Sequence, residues 1–595
     1  MLFKRINYVY DTETTGLELN KNSKAFAFSY SRQGDGLNAI PLREVRDNNY
    51  QIIAKEIWKP GTKVIMHNAK FDISASETID GVKVPFKHSI EDTSIMSCIL
   101  KNNNSHALKD LAYSLCGIPV DDEREVKDII GLTSNDYSKV PSYIMDKYQK
   151  RDIERTDLLY GFFKPKIEAN PRFQEIYEQE IELVWHTREM ERRGLQVNIN
   201  QTKKMISEFK IIVAECREQL PDWCVPSRDA CIRELLFDHL GLPSIKKTKS
   251  GKLESVDKHV LHILYELHTD CKEIQTILKY RSYSKGITTL LSYLEFADSD
   301  GVIHPSIHTN GASTTGRQSC SKPNLQNVSK EKALLNPYPI PARKCFKPRE
   351  GYINIHIDFS SIEMRLIVHY SRDKNMIEVL KNNGDPHNEA ASLFYQHENR
   401  WINALLNKDT KKLLRDASKN CHFAFPYGAS KAKMALILDL PKKIADIGIN
   451  AYAKRFPGVL NVNKTTASEA KKNGGFIETE FGRKLFVPMN KLYVALNYRI
   501  QGTASEILKR SENRVANYLL DMFNYREAQQ ILPIHDEIII EYPIDKLNQL
   551  DKHMNNIRYL MTDFPEFSVP MDIEADITTD SWANKIKYEF KNKGK

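Results

Sequence analysis

Asp11 and Glu13 stand two residues apart at the end of an apolar run, Ile6 to Tyr10. Alternate residues of a strand share a face, so both carboxylates can point at one cation. Asp72 follows a second such segment in His67-Asn68-Ala69-Lys70-Phe71-Asp72. Tyr148 and Asp152 lie four apart in the helical run from Pro141 to Phe162, which stacks them on one helix face. Four acids with no obligatory lysine partner repel one another, so a fold that gathers them is expected to do so around divalent cations. Taken singly, an acid after a strand is as often a helix cap, the role expected of Asp92 in Glu91-Asp92-Thr93.

A second constellation occupies the remainder of the chain. In Ile353-Asn354-Ile355-His356-Ile357-Asp358 the isoleucines alternate strictly, predicting a strand that buries one face and delivers Asp358 at its polar end. Ile534-His535-Asp536-Glu537-Ile538 sets two acids between apolar β residues, as a tight hairpin would. Between these strands, Arg415, Lys419, Phe423 and Tyr427 follow one another at steps of four, a helical stripe of two cations and then two rings. A basic stripe is usually a solvated face. The aromatic continuation, closing at Gly428, favours a surface that grips a phosphate tail and stacks a base.

The elements that must position these residues fall into two unequal parts. Up to about residue 165, short apolar runs (Ile6 to Tyr10, Ala25 to Ser31, Val64 to Met66) alternate with helical stretches such as Ala107 to Cys116, an α/β pattern. From 166 to about 300 the pattern is nearly all helical, around Glu178 to Arg192, Lys203 to Leu220 and Lys258 to Leu291, interrupted by a basic turn-rich loop, Lys246 to Lys252. A Ser/Thr/Asn/Gly-rich segment, Thr309 to Ser329, opens the rest, where β patterns at 352–358 and 531–542 bracket a long helical insert. A chain of 595 residues, 41% hydrophobic, is long enough for several cores. Its formal charge of +9 suits an anionic partner without proving one. Nine scattered cysteines with no CxxC pair favour neither a disulfide framework nor a zinc module and suit a reducing cytosol. The apolar N-terminal run is too short for a signal peptide or a membrane span, so a cytoplasmic protein is expected.

The motifs DxE, NxxxD and YxxxD, here Asp11-Thr-Glu13, Asn68-Ala-Lys-Phe-Asp72 and Tyr148-Gln-Lys-Arg-Asp152, resemble the proofreading 3′–5′ exonucleases with four acids and a tyrosine. Asp358 to Arg365, Arg415 to Gly428 (RxxxKxxxFxxxYG) and His535-Asp536-Glu537 resemble motifs A, B and C of family A DNA polymerases, the family of bacterial DNA polymerase I. Further matches extend over nearly the whole chain: Glu191-Arg-Arg-Gly194, the basic loop, Thr315-Gly-Arg317 through Pro323-Asn-Leu-Gln-Asn327, Asp385-Pro-His387, Gly482-Arg483, and Asn497 to Gln501-Gly-Thr. The resemblance implies an α/β and α+β multidomain protein: an RNase H-like exonuclease domain at 1–165, then a right-hand polymerase at 166–595. Its thumb is expected at about 200–300, its palm at about 301–370 and 490–595, and its fingers at about 371–489. With the exonuclease motif beginning at residue 11, no room is expected for a 5′ nuclease, and the compact organisation is similar to that of a phage replicative enzyme.

The resemblance also implies roles. Asp358 and Asp536 are expected to hold two Mg2+ ions (Mn2+ can substitute), with Glu537 orienting the primer end, while Asp11, Glu13, Asp72 and Asp152 hold the ions of the exonuclease beside Tyr148. Arg415 and Lys419 neutralise the triphosphate, Lys419 donating a proton to pyrophosphate, and His387 adds a phosphate contact. Tyr427 stacks near the nascent pair, Glu363 blocks a ribose 2′ hydroxyl, and Phe423 faces the sugar at its 3′ position. Arg317, Asn327, Asn497, Gln501 and His535 meet primer and template, and Lys246, Lys247 and Lys249 reach DNA from the basic loop. The implied partners are primer-template DNA, deoxynucleoside triphosphates and replisome proteins such as a helicase-primase or a single-strand binding protein, with no membrane and a monomeric chain. Pro426 departs from the family pattern. Proline removes a helical N–H and costs roughly 3 kcal/mol inside a helix, so the motif B helix is expected to bend or end there. Two other classes share parts of this pattern. A single-subunit RNA polymerase would need neither Glu363 nor an editing nuclease, and a non-catalytic DNA-binding scaffold would not keep every acid.

Overall fold

The computed structural model describes residues 6–131, 136–248, 250–312, 314–329, 337–523 and 527–591. The N-terminal unit is built on a five-stranded mixed sheet. Strand Ile6–Thr14 lies at its centre, antiparallel to Ala25–Arg32 on one side and parallel to Thr62–Met66 on the other, with Ile40–Arg43 and Ile90–Asp92 at the edges. Val9, Tyr10, Val64, Ile65 and Met66 are fully buried, which fixes the register that brings Asp11 and Glu13 to the end of the strand. Helix Ser142–Glu168 packs along this sheet and carries Tyr148 and Asp152.

The helix that follows, Pro171–Arg193, belongs to two cores at once. Phe173, Ile176, Tyr177, Val184 and Trp185 complete the N-terminal core. Its polar face lies on the long helix Ala495–Phe523 of the second unit through a ladder of pairs: Glu175 with Arg510 at 2.8 Å, Asn513 donating to the Gln179 carbonyl at 2.9 Å, Glu180 with Lys509 at 2.7 Å, and Glu182 with Asn517 at 2.9 Å. Glu180 is fully buried and also takes a 2.5 Å bond from Arg483, so one carboxylate is shared by two buried cations. Such an arrangement is costly to desolvate and costlier to break. At the end of this helix Gly194 has φ +66°, and a Cβ there would meet the Ile303 carbonyl at 2.5 Å, so the turn requires glycine.

The second unit is built on an antiparallel sheet in which Tyr352–Phe359 is central, flanked by Glu537–Pro543 and Ile573–Thr578, with Gln529–Ile534 and Ile586–Tyr588 outermost. The expectation of one buried face for the central strand is corrected. Ile353, Ile355 and Ile357 enter the main core, but Asn354 and His356 are buried too, because Trp582 and its neighbours cover the other face. His356 stacks on Trp582 with ring centroids 5.9 Å apart and bonds to Glu537 and Thr578, which makes a polar residue tolerable there.

Two long helices, Ile199–Glu218 and Lys272–Phe296, pack against each other beside this sheet. The Ser/Thr-rich segment folds into a hairpin, Ser306–Ala312 with Arg317–Ser321. The helical insert runs from Lys374 to Lys472. Its helix Lys408–Ala424 starts at Asn407, whose side chain accepts from the amides of Asp409 and Thr410, and it stops two residues before Pro426. Proline has no N–H to continue the ladder. Among the described residues no helix is long and apolar enough to cross a membrane.

Candidate active sites

Three of the four predicted acids of the N-terminal unit meet. Oxygens of Asp11, Glu13 and Asp152 lie within 4.8 Å of one another. Asp72 is held next to them, its Oδ1 accepting from the amide of Thr12 at 3.0 Å and its hydroxyl at 2.6 Å. Burial and the charges of Asp72, Glu13 and Asp152 raise the pKa of Asp11, burial raises that of Asp152 against the opposing charges of Lys109 and Arg155, and burial pushes Glu13 and Asp72 up to about 8. Buried carboxylates crowded at this cost suit a divalent cation, whose charge reverses the repulsion. Asp92 caps helix Thr93–Leu100 by accepting from the amides of Ser94 and Ile95, as expected.

The expectation that these acids lack cationic partners is corrected. Lys109 Nζ donates to the Tyr148 hydroxyl at 2.6 Å and lies 3.4 Å from Asp152. Arg155, fully buried, donates to Asp152 at 2.8 Å and forks onto Asp122 at 2.5 and 2.8 Å. Arg155 follows Asp152 by three residues in one helix, so its contact was legible from spacing. Lys109 and Asp122 come from other helices, and no local pattern marks them.

In the second unit, strand pairing brings Asp358 and Asp536 together. Ile534 and Glu537 pair across a two-residue turn in which His535 has φ +56°, and the Phe359 amide donates to the Asp536 carbonyl at 3.2 Å. The two carboxyls are close enough for each to shift the other's titration. Asp358 remains reachable by solvent, yet the surrounding protein and the neighbouring acid raise its pKa, and burial raises that of Asp536. This pair also suits a divalent cation. Glu537 is differently placed: burial opposes its charge, but His356 at 2.7 Å and Lys585 at 2.9 Å hold its pKa down at about 2. Its carboxylate is therefore committed to the protein. His535, at the turn, is exposed.

Beyond Asp358 the chain turns into helix Ile362–Ser371, whose first turn carries Glu363. Arg317, from the hairpin, donates to Glu363 at 3.1 Å. Tyr427 is half-buried beside both, and burial followed by the Glu363 charge raises its pKa. Tyr427 therefore leaves the helical stripe but still arrives at Glu363, through the turn that Pro426 imposes. The helix itself presents Arg415, Lys419 and Phe423. Lys419 is exposed, while Arg415 is tied to Asp385 by two contacts of 2.8 Å, and Asp385 also caps the helix Pro386–Phe394 that carries His387. His387 is buried, 5.6 Å from the Phe423 ring and 5.3 Å from that of His422, and neither ring nitrogen has a hydrogen-bond partner among the described residues. Burial, with Arg415 and Lys419 nearby, pushes its pKa down to about 4, so the ring is neutral.

Asn497 and Gln501 share a face of Ala495–Phe523 and are half-buried, and Asn327 is exposed in a cavity of about 440 Å3 lined also by Arg281 and Lys285. Lys246 pairs with Asp257 at 3.1 Å, and the backbone of Lys247 pairs antiparallel with that of Glu254 in a small exposed turn. Lys249 lies outside the described residues.

The sequence pattern of DNA polymerase family A matches residues 197–584, and that of a 3′–5′ exonuclease matches residues 4–168. The chain is 26% identical over 602 residues to DNA polymerase I of Pseudomonas aeruginosa, covering 96% of this chain and 62% of that protein. It is 30% identical over 370 residues to the thermostable DNA polymerase I of Thermus aquaticus, covering 60% of this chain and 41% of that protein. It thus spans less than two thirds of the length of these relatives. Among solved structures it is similar to the POL domain of Pol1 from M. smegmatis in complex with DNA primer-template and dNTP, with a TM-score of 0.77 and 22% identity over 98% of this chain and 96% of that one. That likeness concerns the fold.

Proposed function

From the premise that the chain belongs to DNA polymerase family A and carries a 3′–5′ exonuclease region before the polymerase region, we propose that it extends DNA primers on a template by nucleotidyl transfer and edits the product from its 3′ end. The observation that carries the reading is the presence of two carboxylate clusters in two different units, one with oxygens of three acids drawn within 4.8 Å and one an aspartate pair. Each gathers like charges that only a cation would reward. Magnesium, for which manganese can substitute, would when bound stabilise both the entering and the leaving oxygen at each site.

In the synthetic site, Asp358 and Asp536 hold the cations, two per site. Lys419 and Arg415 neutralise the triphosphate, Arg415 sharing its guanidinium with Asp385, and Lys419 supplies the proton taken up by departing pyrophosphate. His387, behind Phe423, orders the phosphate side of the pocket. Glu537 acts by ordering the strand beneath the primer end. Arg317, Asn327, Asn497, Gln501 and His535 contact primer and template, and the loop of Lys246, Lys247 and Lys249 touches the duplex. The regions at about 200–300, at 301–370 with 490–595, and at 371–489 serve as thumb, palm and fingers, and the unit up to about residue 165 as the exonuclease, where Asp11, Glu13, Asp72 and Asp152 hold cations beside Tyr148. The chain acts as a monomer in a cytoplasm, as a phage-type replicative enzyme working with replisome proteins.

The test separates the sites. Asp358→Ala or Asp536→Ala abolishes extension of a primed template and leaves primer degradation intact, whereas Asp11→Ala with Glu13→Ala does the reverse. Substantial synthesis by either palm variant, or degradation by the double variant, refutes the corresponding assignment.

A further inference from the structure

Lys109 is the second residue of helix Leu108–Cys116, which packs against the helix carrying Tyr148 and Asp152. Its side chain is only 13% exposed. The ammonium makes three contacts with the acid cluster: 2.6 Å to the Tyr148 hydroxyl, 3.4 Å to Asp152, and 4.0 Å to the centre of the Tyr148 ring. Its approach is anchored by His106, whose Nδ1 meets the Ser97 hydroxyl at 2.9 Å and whose carbonyl meets His67 Nε2 at 3.0 Å. A lysine that only balanced charge would need none of this geometry.

We propose that Lys109 is a positioning residue of the exonuclease site, orienting the Tyr148 hydroxyl toward the 3′-terminal phosphodiester of DNA. The proposal rests on the exonuclease reading above. A protonated lysine has three donors and no acceptor. In the Lys109–Tyr148 bond the phenol oxygen is therefore the acceptor, which leaves its own proton free to be donated elsewhere. Tyr148 is thereby fixed as a donor to a phosphate oxygen. It gives a hydrogen bond and keeps its proton throughout. Without Lys109 the hydroxyl rotor is free, and an ordered donor aimed at a phosphate gaining negative charge is lost.

The full chain tests this with Lys109→Met, Lys109→Arg, Tyr148→Phe and the Lys109→Met/Tyr148→Phe double variant. Hydrolysis of single-stranded DNA is followed while Mg2+ is titrated to saturation, and primer extension by the same preparations reports the fold. At saturating Mg2+, Lys109→Met lowers kcat roughly ten- to a hundredfold, the worth of one charge-assisted hydrogen bond, with little change in KM. Lys109→Arg, which keeps the charge and a donor, recovers part of the loss. The double variant is no slower than Tyr148→Phe alone, because both changes remove one oriented hydroxyl. Three results overturn the proposal: losses that add in the double variant, a kcat for Lys109→Met within about twofold of the parent once Mg2+ saturates, or extension lost together with hydrolysis. The second would make Lys109 a mere competitor of the cation for Asp152, and the third a residue of the fold. Persistence of hydrolysis in Asp11→Ala/Glu13→Ala would instead remove the exonuclease reading itself.

Discussion

Glu363→Ala is expected to open the nucleotide pocket to ribonucleotides at little cost to stability, and the structure separates the two effects. Glu363 is held by Arg317 at 3.1 Å, with the two side chains 38% and 35% exposed. A pair this accessible contributes about 0.2–1 kcal/mol to stability, so the variant folds. The pocket is another matter. A 2′ hydroxyl arriving at Glu363 meets a carboxylate whose good donor is already Arg317 and must bury against it with poor geometry, a cost of about 1–3 kcal/mol. At about 1.36 kcal/mol per tenfold, truncation should therefore reduce discrimination against ribonucleotides by about 5-fold to about 160-fold. Glu363→Gln keeps the volume and loses only the charge, and is expected to retain most of the selection if the block is steric. The assay is single-turnover insertion of paired ribo- and deoxynucleotides in an Asp11→Ala/Glu13→Ala background. A selection ratio for Glu363→Ala within about threefold of the parent would show that Glu363 does not face the sugar, and the motif A assignment would fall with it.

Phe423→Tyr places a hydroxyl on the ring beside His387 and should raise incorporation of dideoxynucleotides relative to deoxynucleotides by about ten- to a hundredfold in the same background, since one hydrogen bond to a charged group is worth about 1.5–3 kcal/mol. An unmoved ratio places Phe423 away from the sugar. Glu180→Ala leaves the buried Lys509 without its carboxylate, while Arg483 keeps Glu506 at 3.2 Å, and should cost about 3–5 kcal/mol, read as a large fall in thermal midpoint. Glu175→Ala, whose carboxylate is 57% exposed in its pair with Arg510, should cost no more than about 1 kcal/mol. Burial pushes the pKa of Glu512 up to about 8, and its carboxyl accepts a hydrogen bond from Gln318 at 2.8 Å. Against an unfolded value of about 4.3, the native state binds the extra proton between these limits, so this group lowers stability progressively as pH rises from about 4.3 toward 8. Glu512→Gln should flatten the fall of the thermal midpoint between pH 6 and about 8 and stabilise the chain at the upper end, and an unchanged slope would refute the buried-proton argument.

The acids and the tyrosine of the candidate sites were legible in the sequence where local geometry alone places them. A period of two carries Asp11 and Glu13 to one strand end, a step of four stacks Tyr148 on Asp152, and a two-residue turn between apolar runs presents Asp536. Proline lacks the N–H that would continue a helix, so the end of the motif B helix before Pro426 was equally local. Tertiary structure decided the partners. Lys109 reaches Tyr148 across 39 positions, Glu537 meets His356 across 181, and Glu180 meets Arg483 across 303. The same strand that announces Asp358 hides the burial of His356, because its second face is covered by Trp582 from the C-terminal end of the chain. Backbone periodicity fixes where a side chain leaves its own element, and that is written in neighbouring residues. Which charge or ring it then meets depends on how elements distant in sequence pack, and no neighbouring residue records that.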